Sequence, residues 1–280
     1  MARNLWIGAP GRLREIRQAA KSWERTAELN VTEFKALEGR VTTFAPTRTT
    51  RRLKFSFDWL EPGDARHLDR LARRVGTGRG PLVVLDPAAV NLLDPHQAAG
   101  QSDSPGGRDH WFTMNGAVAL ARDAEDLTTA DCQDPAAAIG WVHGTWAGWP
   151  VVPGMRVSWL LPAGWDPATA TAQLDWKAAD GTYLSTAHAS GTSVTGTAPA
   201  GAAFATPVGR PGATGLFGLA GACLTLDEEP GTDPGTGPGA HLLGDGCPAM
   251  SVTAYSDVPA ARLPYRNVSV DLVEVRRAAF

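Results

Sequence analysis

The chain has 280 residues, enough to bury a full hydrophobic core in one large domain or two ordinary ones. Its net charge of −3 hides an uneven division: residues 1–105 hold 17 of the 26 Lys and Arg and 12 of the 29 Asp and Glu, a balance of +5, which leaves −8 for residues 106–280. This asymmetry favours two domains. It is typical of subunits that meet the opposite charge on a neighbour, of a basic face turned towards a polyanion, or of two unrelated solvated surfaces.

The cysteines and the apolar runs argue against two classes of protein. Cys132, Cys223 and Cys247 are odd in number and lack metal-ligand spacing, which argues against a disulfide framework, although a single bridge between Cys223 and Cys247 stays open. No apolar run approaches the roughly 20 residues that a membrane span needs, and the first residues lack the apolar core of a signal peptide. We therefore expect synthesis in a cytoplasm and no membrane contact.

The first 50 residues predict a small amount of β-structure. Residues 29–37 fit one or two strands that end at Glu38-Gly39, and Val41–Phe44 would complete a hairpin. Residues 12–20 fit either a short helix or an extended arm.

Residues 51–93 predict a strand, a helix and a second strand. Asp64 can cap the helix, Gly76 can close it, and the apolar run 82–85 predicts a buried strand. In the first strand four apolar residues alternate with polar ones, and we expect all four to be buried: Leu53, Phe55, Phe57 and Trp59.

The second half of the chain predicts a sandwich. Residues 98–109 are rich in Gly, Ser, Pro and Asp and predict a linker. About ten short apolar runs follow, separated by turn signals such as Asp180-Gly181, which indicates an antiparallel β-sandwich of jelly-roll type. The fold class is therefore mainly β, with an α+β N-terminal domain over residues 1–105 and a galectin-like or carbohydrate-binding-module-like β-sandwich over residues 106–280.

Two features near the C-terminus qualify this prediction. The alternation of apolar and polar residues in the last strand changes phase at Leu272-Val273, which predicts a bulge. We expect this strand to pair with an early one.

Residues 227–246 are rich in Pro, Gly and acidic residues, and the acidic side chains supply oxygen atoms that suit calcium. Their spacing matches no calcium loop, however, and a solvated loop is the preferred interpretation.

Catalytic motifs are missing from the sequence. No nucleophile elbow, zinc-protease helix or phosphate loop is present, and the six histidines are scattered. Asp109-His110 and Asp134 could form a catalytic triad with a serine if residue types alone decided it. Any chain of this size contains the residue types for such a triad, however. We therefore predict no enzyme, no cofactor and no metal centre.

The tryptophans are the most informative candidates for binding. Trp159 and Trp176 alternate in phase with apolar neighbours and are predicted to fill the core. Trp146 and Trp149 flank Ala147-Gly148 in a loop, where a large aromatic ring can stack on a sugar. These two are the candidate glycan-binding residues, with core packing as the alternative.

Two groups of motifs follow one another along nearly the whole chain. The first group comprises Phe34-Lys-Ala-Leu-Glu-Gly39, the strand 53–59, Leu68-Asp-Arg-Leu71, Gly80-Pro-Leu-Val-Val-Leu-Asp-Pro87 and Asn91-Leu-Leu93. The second comprises Val152-Pro-Gly-Met-Arg-Val-Ser-Trp159, Leu174-Asp-Trp-Lys-Ala-Ala-Asp-Gly181, Ala198-Pro-Ala-Gly-Ala202 and Leu263-Pro-Tyr-Arg266. The first group resembles the distal tail (minor tail) proteins of long-tailed phages that infect actinobacteria, and the second resembles the carbohydrate-binding-module sandwiches often fused to them.

This resemblance implies a structural role in the virion. Such proteins form a hexameric ring at the tail tip, with the tail tube protein above, the tail hub below and a lumen through which DNA passes without specific binding. The N-terminal domain would be the belt of the ring, and the sandwich would project outwards towards host cell-wall glycan or tail fibres. The family has no catalytic residues to carry over.

Three basic residues at the start of the best-defined strand are candidates for a subunit interface. Arg48, Arg51 and Arg52 can contact an acidic neighbour. We prefer this to a place in the lumen, because a strongly basic lumen would retard DNA.

The rival hypothesis is a free-standing, lectin-like carbohydrate-binding protein. A third, an enzyme with a binding module, finds no catalytic constellation. A gene transfer agent or another phage-derived particle would use the same ring.

Overall fold

The computed structural model describes residues 4–45, 49–76, 80–102, 104, 106–226 and 244–275. The chain is mainly β, as predicted, with strands paired antiparallel. The strands are β1 Leu5–Ala9, β2 Arg12–Ile16, β3 Ser22–Glu28, β4 Thr32–Lys35, β5 Val41–Phe44, β6 Thr50–Leu60, β7 Val83–Leu85, β8 Trp111–Asn115, β9 Val118–Arg122, β10 Thr128–Cys132, β11 Ala138–Trp141, β12 Trp149–Pro150, β13 Arg156–Leu160, β14 Thr171–Lys177, β15 Tyr183–Ser190, β16 Ser193–Thr197, β17 Phe204–Arg210, β18 Gly215–Gly218, β19 Cys223–Leu226, β20 Met250–Pro259 and β21 Arg266–Glu274. The described helices are α1 Pro62–Ala72 and α2 Pro95–Ala98.

The chain divides into two compact units whose limits differ from the predicted domains. Unit 1 is formed by residues 1–14 and 83–248, and unit 2 by residues 15–82 and 249–276. The division replaces the predicted boundary between residues 105 and 106. It arises because β21 pairs with β6 from Leu60 to Arg52, while β7 pairs with β1 instead of staying with β6 and α1. Residues 98–109 lie inside unit 1, so they do not link two domains.

Unit 1 is built around two antiparallel sheets that share one core. The larger sheet has the order β15-β14-β17-β11-β8, with β12 paired to β17, and the smaller has the order β16-β13-β19. Their facing side chains form one apolar cluster in which Trp141 and Trp159 pack edge to face at 4.7 Å. Trp159 and Trp176 are buried there, as predicted. This arrangement is that of a β-sandwich. Two further three-stranded sheets, β18-β10-β9 and β2-β1-β7, complete the architecture.

Unit 2 is a four-stranded sheet with one helix. The strand order is β20-β21-β6-β3, and α1 packs on β20 and β21 through its buried face of Ala65, Leu68 and Leu71. The helix begins at Pro62 after the cap residue Glu61, three residues before the predicted cap Asp64, because proline suits the first turn of a helix. A separate hairpin, β4-β5, agrees with the predicted strands around residues 32–44.

The alternation in β6 ends before Trp59. Leu53, Phe55 and Phe57 are buried as predicted, but Trp59 is 46% exposed and Leu60 is buried instead. Trp59 has φ of 63°, and the register between β6 and β21 shifts between Val268 and Arg266, opposite this point. The irregularity reverses the side-chain phase, which corrects the prediction for Trp59.

The C-terminal strand is regular where a bulge was predicted. Val268, Val270 and Leu272 are buried and Val273 is only half-buried, so the phase of β21 does not change at residues 272–273. The irregularity in register lies in the neighbouring strand β20, between Val252 and Ala254. The N-terminal residues 12–16 are a strand, which favours the extended alternative over the helix.

Candidate functional site

The loop that follows β11 places the two candidate tryptophans around one histidine. The His143 ring lies 4.8 Å from the Trp146 ring and 5.4 Å from the Trp149 ring. Trp149 is only 2% exposed, and its Nε1–H donates a hydrogen bond of 2.8 Å to the Leu92 carbonyl. The structure thus assigns Trp149 to the core, which corrects its prediction as a glycan contact. Trp146 is half-buried at the surface, and its assignment stays a prediction.

The His143 ring organises this loop through both nitrogens. Nδ1 accepts hydrogen bonds from the backbone N–H groups of Thr145 at 3.1 Å and Trp146 at 3.3 Å. Nε2 lies 2.9 Å from the Cys247 carbonyl, so it carries the ring proton and donates it there. Burial lowers the pKa of His143 from 6.5 to about 4. The ring is therefore neutral at physiological pH, and it orients the backbone that carries Trp146.

The other end of the loop is fixed on the larger sheet. The Ala147 carbonyl accepts hydrogen bonds from Lys177 Nζ at 3.0 Å and from Thr206 Oγ1 at 3.1 Å. A Cβ on Gly148 would lie 2.6 Å from the Ala205 carbonyl oxygen, so only glycine permits this approach. Burial lowers the pKa of the Lys177 ammonium, partly offset by the charge of Asp175.

A row of polar side chains crosses the same sheet beside this loop. In β14 the residues Ala172, Leu174 and Trp176 belong to the sandwich core, and Gln173 and Asp175 alternate with them on the opposite face. The antiparallel register brings His188 and Thr186 of β15 beside Gln173 and Asp175, and Arg210 of β17 beside Thr171. Gln173 and Asp175 are buried, whereas the side chains next to them along the row are half-buried or exposed. We call this set the polar face: Gln173, Asp175, Tyr183, Thr186, His188 and Arg210.

Hydrogen bonds connect the polar face from strand to strand. Arg210 Nε donates to Gln173 Oε1 at 3.2 Å, and Gln173 Nε2 donates to Asp175 Oδ1 at 2.8 Å. The Thr186 hydroxyl donates to the same oxygen at 2.5 Å, and the Tyr183 hydroxyl lies 2.8 Å from Thr186 Oγ1. The network holds the side chains in fixed orientations before any ligand arrives.

Sequence reasoning missed the polar face although a signal was available. Thr171, Gln173, Asp175 and Lys177 recur at every second position of a strand whose other residues are core. A polar row of this kind normally faces water, yet Asp175 is only 5% exposed. The cross-strand partners, which are set by pairing over long sequence separations, could not be read from the sequence.

Ser102, Asp109 and His110 do come together, but in an order that differs from a nucleophilic triad. The Ser102 hydroxyl donates to the Asp109 carboxylate, and His110 Nε2 lies 3.7 Å from the other carboxylate oxygen. In a triad the serine instead bonds the imidazole, which removes its proton. The arrangement therefore lacks the bond between nucleophile and base.

Unit 2 presents an exposed apolar hairpin. Every residue of β4 and β5 is exposed, and the register of Phe34 opposite Thr42 and of Thr32 opposite Phe44 puts both phenylalanines on one face. Phe34 is 60% exposed and Phe44 65% exposed. Further exposed apolar residues flank or join the strands: Leu29, Val31, Leu37 and Val41.

The candidate interface arginines have different surroundings. Arg48 lies outside the described residues. The backbone N–H of Arg51 donates to the Glu274 carboxylate at 3.2 Å, and its side chain is half-buried. Arg52 is exposed and forms an ion pair with Glu28 on the neighbouring strand β3. The two described arginines thus lie on the sheet of unit 2, and their contact with another subunit stays a prediction.

Other expectations concern metals, membranes and cysteines. The described residues contain no cluster of His, Cys, Asp and Glu suited to a metal ion, and most of the segment 227–246 lies outside them. None of the described helices is long and apolar enough to cross a membrane.

The three cysteines are described and buried, and they are not joined by disulfides: Cys132, Cys223 and Cys247. Burial raises the pKa of Cys132 to about 11.

Comparisons with known proteins give little similarity. No protein-family model matches the chain, and no curated protein sequence matches it. The solved structures include the enzymatically active domain of tailspike protein 4 of bacteriophage CBA120, 13% identical with a TM-score of 0.29 over 48% of this chain and 22% of that one. They also include an arabinose-bound α-L-arabinofuranosidase, MgGH51, 13% identical with a TM-score of 0.31 over 50% of this chain and 27% of that one. This chain thus matches about a quarter of either structure, and similarity this low identifies neither family nor function.

Proposed function

We propose that this chain is a structural virion component of the distal tail type. In this proposal it forms a hexameric ring that joins the tail tube protein to the tail hub, after synthesis in the host cytoplasm. Unit 2 acts as the belt of the ring, and the sandwich of unit 1 projects outwards for contact with host glycan or tail fibres. The observation that carries the proposal is the exposed hairpin β4-β5.

The hairpin has the properties of an assembly arm. An isolated two-stranded hairpin is marginally stable in water, and large exposed apolar patches on soluble proteins mark interaction sites. Here Phe34 and Phe44 share one face and are more than half exposed, while Glu33 and Thr43 occupy the other face. A neighbouring subunit that covers the aromatic face would stabilise both the hairpin and the contact.

The sheet of unit 2 supplies a second means of assembly. β3 and β20 are its two edge strands among the described residues, and unpaired edges are ready for strands from another chain. A contact between unlike edges is heterologous, and such contacts close into rings when the rotation permits it. Arg51 and Arg52 lie on β6, next to the edge strand β3. They are our candidate contacts to an acidic neighbour.

Nothing in this role requires catalysis or a cofactor. The ring would leave a lumen for DNA, which must pass without specific binding, so the proposal places no basic binding site there. Particles derived from phages, including gene transfer agents, would use the chain in the same way.

The assembly proposal is tested by the size of the purified full chain. We expect multi-angle light scattering to give a hexamer and electron microscopy to give six-fold rings. The double variant Phe34→Ser/Phe44→Ser should shift the protein to monomer, and the control Glu33→Gln/Thr43→Ser, on the other face of the hairpin, should assemble as wild type. A wild-type chain that stays monomeric at high concentration would contradict the proposal.

A second candidate function, a free-standing lectin-like protein, is favoured by the polar face and by Trp146, whose loop is anchored on the same sheet. This function needs unit 1 alone. It predicts binding to cell-wall polysaccharide by a monomer, with Trp146→Ala weakening that binding. Double substitution of Phe34 and Phe44 would then leave both size and binding unchanged.

A further inference from the structure

Asp175 occupies an unusual position for a charged residue. Its side chain lies in the central part of β14 and is almost fully buried, and Oδ1 accepts hydrogen bonds from Gln173 and Thr186. Oδ2 has no hydrogen-bond partner in the part of the chain that the structure describes. Within the same residues no Lys, Arg or His lies within ion-pair distance of this carboxylate. A buried carboxylate without a close ion pair normally destabilises a protein.

The nearby cations form no ion pair with Asp175 among the described residues. Lys177, two positions further along the strand, gives its hydrogen bond to the Ala147 carbonyl, and Arg210 uses Nε for Gln173. The fold therefore holds a carboxylate oxygen in a fixed orientation and leaves it without a partner of its own. This is the property of a pre-organised acceptor for a ligand.

From this geometry we propose that the polar face of unit 1 binds a neutral sugar, with Asp175 Oδ2 as the central acceptor. The remaining groups suit such a ligand. Arg210 keeps its terminal guanidinium nitrogens as donors, and His188 is exposed beside Gln173. Tyr183 is 57% exposed with its hydroxyl held by Thr186, so its ring offers a fixed apolar surface.

Other classes of ligand fit these groups less well. A sugar hydroxyl both donates and accepts, so one hydroxyl can donate to Asp175 while its neighbour accepts from Arg210. A phosphate or an acidic sugar would meet the negative charge of Asp175. A metal ion requires several oxygen ligands, and the described residues contain no such cluster. The inference rests on the glycan contact in the proposed function for its class of ligand, and it does not depend on ring assembly.

The test is binding of defined sugars to the full chain. The probes are the methyl glycosides of D-glucose, D-galactose, D-mannose and L-rhamnose, with D-galacturonic acid as a charged comparison, measured by saturation-transfer NMR and calorimetry. We expect at least one neutral glycoside to bind better than the acid. Asp175→Asn should weaken that binding roughly tenfold or more, because a hydrogen bond to a charged group is lost.

Asp175→Asn keeps the oxygen that Gln173 and Thr186 contact, so we expect the variant to be at least as stable as wild type towards urea. His188→Ala, at an exposed position, should weaken binding without unfolding. The matched control is Asp180→Asn, which removes the same charge from an exposed turn next to β14 and should bind as wild type.

Two results would overturn the inference: no binding by any neutral glycoside, or wild-type affinity in both Asp175→Asn and His188→Ala. Light scattering on the same samples separates this outcome from a failure of ring assembly. A monomer whose binding depends on Asp175 would refute the ring alone, and a hexamer without binding would refute the sugar site alone.

Discussion

Protonation of His143 should loosen the loop that carries Trp146. In the folded chain Nδ1 accepts two backbone N–H groups and Nε2 donates to the Cys247 carbonyl. A proton on Nδ1 would point at two donors and break both hydrogen bonds. The ring must therefore stay neutral for the loop to keep its structure. Burial disfavours the charged form and lowers the pKa of His143 to about 4 in the folded state, from about 6.5 in the unfolded state.

The sign and size of the effect follow from these two values. Between pH 6.5 and 4 the unfolded chain binds a proton that the folded chain does not, so this contribution to stability is complete above pH 6.5 and is lost as the pH falls towards 4. Integrating the difference from about pH 7.5 to about pH 4.5 gives a loss of roughly 2–3 kcal/mol in the free energy of unfolding.

Urea denaturation at these two pH values measures the loss. His143→Gln is the diagnostic variant, because its amide can donate to Cys247 and accept from the loop but does not titrate. Exposed His188→Gln is the control. We expect wild type and His188→Gln to lose roughly 2–3 kcal/mol more stability than His143→Gln over this interval. Parallel losses in all three proteins would refute the assigned role of the ring.

Three further predictions concern the folds of the two units. Trp149→Phe should destabilise the chain by about 2–3 kcal/mol in urea denaturation, because it removes the bond to Leu92 and part of the core volume, and it should leave sugar binding unchanged. Gly209→Ala should cost about 1–3 kcal/mol, since its Cβ would lie 2.7 Å from Leu161 Cδ2, whereas Gly218→Ala, with open space around it, should be close to neutral. Deletion of residues 268–280 should abolish the thermal transition of unit 2, because β21 lies between β20 and β6, and an unchanged transition would contradict this pairing.

The alternation of apolar and polar residues was sufficient to predict much of the β-structure. The alternation of Leu53, Phe55 and Phe57 with polar residues reflects a buried face, and the buried Trp159 and Trp176 follow from the same period. Trp59 breaks the rule because a local register shift reverses its direction, and nothing in the alternation signals where such a shift occurs.

The candidate site required contacts that are distant in sequence. Trp149 lies in a Gly-rich loop by sequence, but the carbonyl that accepts its indole proton belongs to Leu92, 57 residues earlier. Asp175 looks like an ordinary acidic residue in the sequence, and only the folded sheet places Gln173 and Thr186 in hydrogen-bond contact with its carboxylate. Burial of a polar group is decided by the whole sheet, so the sequence could supply the residue types but not the site.

The charge asymmetry of the sequence also separates the two structural units. Residues 15–82 and 249–276 contain 17 Lys and Arg and 12 Asp and Glu, a balance of +5, and the remainder of the chain contains 9 and 17, a balance of −8. The cut at residue 105 gave the same totals, because three basic and three acidic residues move in each direction when the boundary is redrawn. The charge asymmetry therefore follows the two units as well as the halves of the sequence, and it is not an accident of where the chain is divided. Contacts between unlike units of neighbouring copies would be attractive and contacts between like units repulsive, which favours a directional arrangement of subunits over random association.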